Sequence, residues 1–397
     1  LAPESPAGSP EHAPEGSPLQ SPSSPSNAVI TWTGIAITGS NAYGLLGIGN
    51  ATTPSAFQPT LIFEGDAIPV LGGDFACMYS LSFVHCWGNN AVGQLGQPLS
   101  TPMAASPTRV LGVELPSRLT AGEQHACLVD DATPKCWGLN AAGQLGNGGT
   151  SNSHVPVPIS TAYIYEVMSA GLDHTCGIAL DAADGNILQC WGGNAFGQLG
   201  MGDTENRATP QSLSIRGWYE ISAGCSTTCG INGIGIYCWG ANDMGQAGSG
   251  NTNQFPVPWP MDGTADWFSI STWGKTTCAL NEGAQMFCWG DGSQGQMGNH
   301  VSTVVNLDPQ NVWNPNPDNF ISISVGGNTV CAASDSFRIL CWGDDSVGQA
   351  GVPPASGPQN YPLGLPGDFV AVPYARNSAT IFHTMNFETP DYTPPGQ

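Results

Sequence analysis

The sequence predicts an all-β fold, a seven-bladed β-propeller whose N- and C-terminal segments complete one blade together. Three observations lead there. The tripeptide Cys-Trp-Gly recurs at Cys86, Cys136, Cys190, Cys238, Cys288 and Cys341, a period of about 50 residues. Each copy runs into a glycine-bearing tail, from GNNAVGQLG at 88–96 to GDDSVGQAG at 343–351. Before each copy stands a short alternation of apolar and small residues carrying a second cysteine, as in YEISAGCSTTCGI at 219–231. Alternation of period two broken by glycine turns is the pattern of short strands. A unit of about 50 residues holding four such strands has the size of one propeller blade.

Six units are complete, and the ends supply the expected seventh. GSNAYGLLG at 39–47 matches GGNAFGQLG at 192–200, and FVAVPYARNSATIFHT at 369–384 matches the first part of a unit. In this register Ile37 and Ile381 stand where the other units carry their two cysteines, and they are expected to pack together at the blade closure. Residues 28–386 form the predicted propeller, with a C-terminal tail at 387–397. Residues 1–27 are Pro, Ser, Gly and Glu with almost nothing to bury. They read as a polyproline-like arm or linker, either a spacer or a docking element that joins copies into a homopolymer.

The chain has 13 cysteines. Within each unit the two lie on adjacent strands of one hairpin, which pairs Cys77 with Cys86, Cys127 with Cys136, Cys176 with Cys190, Cys229 with Cys238, Cys278 with Cys288, and Cys331 with Cys341. Zinc needs four ligands in one place, and these pairs would sit in separate blades. Gly224 stands five residues before Cys229, as Gly122 does before Cys127, so Cys225 is the unpaired cysteine. A buried thiol, a bridge to a second copy and an exposed modified thiol all stay open for it. So many pairs point to an oxidising compartment. The expected setting is extracellular or at the cell surface, with the chain the mature form of a secreted precursor.

The pattern Gly…His before the first cysteine, then CWG-x-N-x-x-GQLG, resembles the regulator of chromosome condensation (RCC1) repeat. It shows best at Gly122, His125 and Asn140 to Gly146, and at Gly171, His174 and Asn194 to Gly200. The last three units depart from it with GQAG or GQMG. The resemblance covers roughly 28–386 and implies a seven-bladed propeller of the secreted bacterial type. Relatives in that family include an exchange factor for a small GTPase and a β-lactamase inhibitor.

Charge narrows the function. With 30 acidic and 8 basic residues the formal net charge is -22. Such a surface repels nucleic acid and anionic lipid, and no apolar run is long enough for direct membrane insertion. There is no GxSxG elbow and no HExxH pair. His125 and His174 share a register with Phe75, Thr227, Thr276 and Thr329, an interchange that suits a packing slot and not a catalytic base. Asp181, Asp184 and Asn186 crowd one hairpin loop without the twelve-residue calcium pattern. A surface calcium ion there, or at Asp344 and Asp345, is the one cofactor reading left open. Asn50 begins a formal glycosylation sequon. Trp32, Trp218, Trp259, Trp267, Trp273 and Trp313 fall outside the repeat and are candidates for a recognition patch. The sequence therefore predicts a non-enzymatic extracellular binding or structural module, presenting loops such as 97–117 and 301–318 to a protein, a glycan or a neighbouring subunit. An enzyme inhibitor is the alternative. A carboxylate-dependent hydrolase is a further one, and it requires paired carboxylates on the central cleft.

Overall fold

The computed structural model describes residues 29–388 apart from 53–59, 64–66, 81, 182–184, 262–265, 315–317, 337, 347–357, 365–372 and 377–378, and gives backbone only for 29–39, 60–63, 373–376 and 379–388. One compact unit spans Trp32–Asn386; Leu1–Thr31 with Phe387–Gln397 form another, most of which lies outside the described residues.

Strands are numbered in chain order. After β1 (Val29–Gly39) and β2 (Thr60–Phe63) come six four-stranded antiparallel meanders. Blade 1 is β3 (Ile68–Leu71), β4 (Phe75–Ser80), β5 (Phe83–Asn89) and β6 (Met103–Arg109). Blade 2 is β7 (Pro116–Ala121), β8 (His125–Asp130), β9 (Thr133–Gly138) and β10 (Ser153–Pro158). Blade 3 is β11 (Tyr165–Ala170), β12 (His174–Ala179), β13 (Ile187–Gly192) and β14 (Arg207–Arg216). Blade 4 is β15 (Trp218–Ala223), β16 (Thr227–Asn232), β17 (Gly235–Gly240) and β18 (Phe255–Pro260). Blade 5 is β19 (Trp267–Trp273), β20 (Thr276–Asn281), β21 (Met286–Asp291) and β22 (Val305–Asn311). Blade 6 is β23 (Phe320–Gly326), β24 (Thr329–Ser334), β25 (Ile339–Gly343) and β26 (Gln359–Gly364).

The expectation of seven blades is corrected to six, one for each Cys-Trp-Gly unit. The end segments contribute β1, β2, β27 (Pro373–Arg376) and β28 (Ala379–Glu388), whose backbones join in the order β2-β1-β28-β27. That sheet carries neither the Cys-Trp-Gly tryptophan nor the cysteine pair that define a blade here, and it is not counted as one. Ile37 lies opposite Thr60 and Ile381 opposite Tyr374; their side chains, and with them the expected closure contact, lie outside the described residues.

Each letter of the repeat has a mechanical reason. The indole Nε1 of Trp137 donates to the Gln94 carbonyl of the preceding blade at 2.9 Å, and Trp191 does the same to Gln144 at 2.9 Å. Trp239 reaches Gln198 at 2.8 Å, Trp289 reaches Gln246 at 2.9 Å and Trp342 reaches Gln296 at 2.8 Å. In front of blade 1 the Leu45 carbonyl, from the matching GLLG, takes Trp87 at 2.8 Å. All six tryptophans are fully buried, where a tryptophan N–H needs a partner. The last glycine of GQLG clears the path: a Cβ on Gly146 would lie 2.7 Å from the Trp191 Nε1. The asparagine holds the loop from within. Asn140 Oδ1 accepts from Leu145 N at 2.9 Å, and its Nδ2 donates to the Ser151 carbonyl at 3.0 Å.

The innermost strands β3, β7, β11, β15, β19 and β23 enclose a channel of about 220 Å³. A hydroxyl on one accepts a backbone N–H from the next: Ala170 N to Thr120 Oγ1 at 3.1 Å, Ala223 N to Ser169 at 2.9 Å, Thr272 N to Ser222 at 2.9 Å and Val325 N to Ser271 at 2.9 Å. The second strands β8, β12, β16 and β24 are buried along their whole length, because neighbouring blades cover both faces. Blades are thus tied near the axis by hydroxyls and farther out by indoles.

The latch can be weighed. Gln198 O also accepts from Thr228 Oγ1 at 2.7 Å, whereas blade 6 has Val330 at the threonine's place. Trp342→Phe, which strips the Gln296 carbonyl of its indole donor, should cost more than Trp239→Phe by about 1–2 kcal/mol, read as a difference in urea midpoints at equal slope.

Candidate functional site

Most sequence-predicted site residues are parts of the scaffold. The sulfurs of Cys77 and Cys86, Cys127 and Cys136, Cys176 and Cys190, Cys229 and Cys238, Cys278 and Cys288, and Cys331 and Cys341 are bonded, each across one hairpin with Cα atoms 4.1 Å apart. His125 Nε2 meets Thr175 Oγ1 of the next blade at 2.9 Å, and His174 Nε2 meets Thr228 Oγ1 at 2.9 Å. Thr175 in turn donates to the Gln144 carbonyl at 3.0 Å, so each histidine is wired to a tryptophan latch. Burial pushes both imidazoles down to about 3, with the neighbouring His174 adding to the effect on His125.

The central channel is walled by Thr120, Ser169, Ser222, Ser271 and Ser324 among aliphatic side chains, and no carboxylate lines it among the described residues. Glu220, the acid nearest in sequence, is a fastener: its Oε1 accepts from Ser269 Oγ at 3.0 Å and from Ile270 N at 3.1 Å. Burial raises its carboxyl above the usual range. No His, Cys, Asp or Glu group that could hold a metal ion exists among the described residues. Asp184 lies outside them. The Asn186 amide is committed to the Trp218 carbonyl at 2.9 Å, Asp344 Oδ1 caps Ser346 N at 2.9 Å, and Asp345 is buried. Asn50 Oδ1 accepts from Thr52 N at 2.9 Å.

Cys225 is half-buried and packs against the cluster around Trp273 and Val325. It borders a cavity of about 420 Å³ shared with Phe196, Gln246, Asp243 and Lys275. Burial alone would raise the Asp243 carboxyl, but its ion pair with Lys275 holds it below the usual range.

The surface that stands out is at the second residue of the inner strands. Blades 2 and 3 place Ser117 and Glu166 there, with Glu166 held by Arg118 at 2.7 Å. Blades 4, 5 and 6 place Tyr219, Phe268 and Ile321, which are 44%, 37% and 46% exposed. Three consecutive blades therefore present apolar side chains in one register, as an arc. Acids fringe it. Partial burial, and then the carboxylates of Glu220, Glu282 and Asp266, raise the Tyr219 hydroxyl above the usual tyrosine range; that hydroxyl donates to the Trp267 carbonyl at 2.8 Å. These residues escape a reading by motif because they vary within the repeat. Their signal is a bulky apolar residue directly after the aromatic that opens the strand, where blades 2 and 3 are polar. Of the tryptophans outside the repeat, Trp218 and Trp273 are core, while Trp259 and Trp313 are exposed.

Comparison with known proteins places the chain beside eukaryotic propellers. The model of the regulator of chromosome condensation (RCC1) repeat matches residues 136–178, 186–231 and 284–333. The ultraviolet-B receptor UVR8 of Arabidopsis thaliana is 28% identical over 330 residues, covering 78% of this chain and 72% of the receptor. Among solved structures, Prp20p of Saccharomyces cerevisiae superposes with a TM-score of 0.77 at 17% identity, over 92% of this chain and 93% of that one. Human WBSCR16 does so with 0.76 at 18%, over 88% and 99%. The fold is that of an RCC1-repeat propeller.

These relatives correct the expected setting. The secreted bacterial type is overturned, since the relatives named above are plant, yeast and human proteins. The extracellular and cell-surface expectation is corrected with it, since the partners described for Prp20p are Gsp1p and histones. Paired cysteines report the close approach of two strands in each hairpin, and the number of such pairs does not specify a compartment.

The buried histidines set a pH dependence. Their folded values lie below the unfolded 6.5, so the unfolded chain takes up protons that the fold refuses. Stability should be full above pH 6.5 and fall as pH drops toward 3, by roughly 2–3 kcal/mol per histidine between pH 6.5 and 4.5. His174→Thr, the residue used at this place in blades 4 to 6, should flatten part of that fall in urea titrations at pH 7 and 4.5.

Proposed function

We propose that the chain is a non-enzymatic, intracellular protein-binding module that takes a basic protein partner on the rim formed by blades 4, 5 and 6. The observation that supports this is the apolar arc of Tyr219, Phe268 and Ile321 with the exposed Asp266 and Glu282 beside it. An aromatic and aliphatic centre inside a charged margin is how protein interfaces are built. The sign of the margin selects a cationic surface and speeds encounter with it, and the net charge of -22 extends the same field over the molecule. The Prp20p propeller, which binds Gsp1p and histones, offers one basic and one non-histone test partner.

Calorimetric titration with purified core histones and with Gsp1p checks the reading. Binding to histones should weaken as salt rises. The triple variant Tyr219→Ser, Phe268→Ser, Ile321→Ser should lose at least tenfold in affinity, about 1.4 kcal/mol, while melting near the wild-type temperature. A triple variant that binds like the wild type would remove the rim from consideration.

A further inference from the structure

The groove between blades 5 and 6 differs from its counterparts at three touching positions. Between blades 2 and 3 these are Gly148, Ser160 and Thr209: a Cβ on Gly148 would lie 3.9 Å from Ser160 Oγ and 4.0 Å from Thr209 Cγ2. Backbone hydrogen bonds give the correspondence. Gly148 N donates to the Ala208 carbonyl at 2.9 Å as His300 N donates to the Asn360 carbonyl at 2.8 Å, and Ser160 N donates to Gly146 at 2.9 Å as Trp313 N donates to Gly298 at 2.9 Å. The same three places between blades 5 and 6 therefore hold His300, Trp313 and Tyr361.

His300 has φ +66°, where the corresponding residues are Gly148, Gly202 and Gly250 with φ between +71° and +87°. A side chain is kept in a conformation that glycine adopts freely, and strain of this kind collects at functional places. What it achieves is a ring cluster. The His300 imidazole sits 4.5 Å from the Trp313 ring and stacks on Tyr361 at 5.1 Å, with Trp313 and Tyr361 6.1 Å apart. The groove does not need these rings to close, since glycine, serine and threonine suffice between blades 2 and 3. Trp313 remains 43% exposed.

Charge names the occupant. Residues 266–364 hold eight Asp or Glu, and Lys275 and Arg338 are their only Lys or Arg. Both face acids, Asp243 and Asp318. Trp313 also walls the cleft that contains Asp318. We infer that Trp313 is a cation–π platform for a lysine or arginine side chain in an extended segment of a partner protein, with His300 and Tyr361 as the positioning residues that hold its ring. An indole face is the best aromatic surface for a cation. A region rich in carboxylates concentrates cations around it. The inference rests on the protein-binding reading and adds a site away from the rim.

The test uses the full chain and a capped, fluorescently labelled Gly/Ser peptide bearing four lysines, followed by anisotropy at 150 mM salt. Trp313→Ser leaves net charge unchanged, so diffuse attraction is common to both proteins. The wild type should bind at least fivefold tighter than Trp313→Ser. Trp313→Phe should fall between them, and Trp259→Ser, which removes another exposed tryptophan, should match the wild type. His300→Gly, which restores the residue of the other grooves and should fold at least as well, should weaken binding two- to fivefold. A glutamine version of the peptide should not bind. Equal affinity of wild type and Trp313→Ser would overturn the inference, as would a neutral oligosaccharide that needs Trp313 when the lysine peptide does not. Histone binding that survives Trp313→Ser but fails in the rim triple variant would sink this site and leave the proposed function standing; the reverse pattern would do the opposite.

Discussion

The structure depends on one hydrogen bond used over and over, from a buried indole N–H to the carbonyl of the glutamine in the preceding blade. It joins two units that share no strand, so it is what turns a row of meanders into a propeller. The bond is worth little by itself, on the order of 1 kcal/mol. Its weight comes from what it commits: a tryptophan with no exposed surface, a glycine whose missing side chain leaves the path open, and an asparagine that keeps the loop at the right height. Failure of any one of these leaves a buried polar group without a partner. Because each latch touches only adjacent units, stability is distributed as a chain of neighbour terms, as in other repeat proteins.

A second set of ties lies closer to the axis. Hydroxyls of Thr120, Ser169, Ser222 and Ser271 set the spacing of successive inner strands, and the buried histidines connect the two systems through Thr175 and Thr228. With the interior and the blade interfaces spoken for, positions free to vary are few. They are the second residues of inner strands and the outer loops. Tyr219, Phe268 and Ile321 belong to the first group, and His300 to the second.

The all-β class and the blade unit were legible from the spacing of Cys86, Cys136 and their successors, because the period is carried by residues that cannot be exchanged. The number of blades was not. GSNAYGLLG matched a loop, and the Leu45 carbonyl does serve Trp87, but a loop match says nothing about the strands that flank it. The interchange of His125 and His174 with threonine pointed to a packing slot, and each imidazole does sit in a buried one against a threonine hydroxyl. The exposed arc was hidden, since exposure of an alternating residue depends on whether a neighbouring element covers it. The aromatic cluster was hidden for another reason: Trp313 was singled out, but its ring partners come from a separate loop and strand that only the fold brings to it. The compartment was misread because cysteine pairs were treated as a sign of address, whereas the hairpin geometry sets only that the two sulfurs meet.

The latch also has a direction. Every blade from the first to the sixth offers its indole backward to the unit before it, so the ring is a head-to-tail arrangement and its two cut edges are different surfaces. An edge facing forward shows an empty carbonyl cradle; an edge facing backward shows a bare tryptophan. A chain opened in the connection between two blades keeps every unit able to find its own neighbour. One opened inside a GQLG loop would carry an indole at one end and its cradle broken in two. Growing the repeat by whole units is therefore mechanically simple, while dividing it within a unit is not, and the boundary that matters for splitting or recombining such chains is set by the latch and not by the sheet.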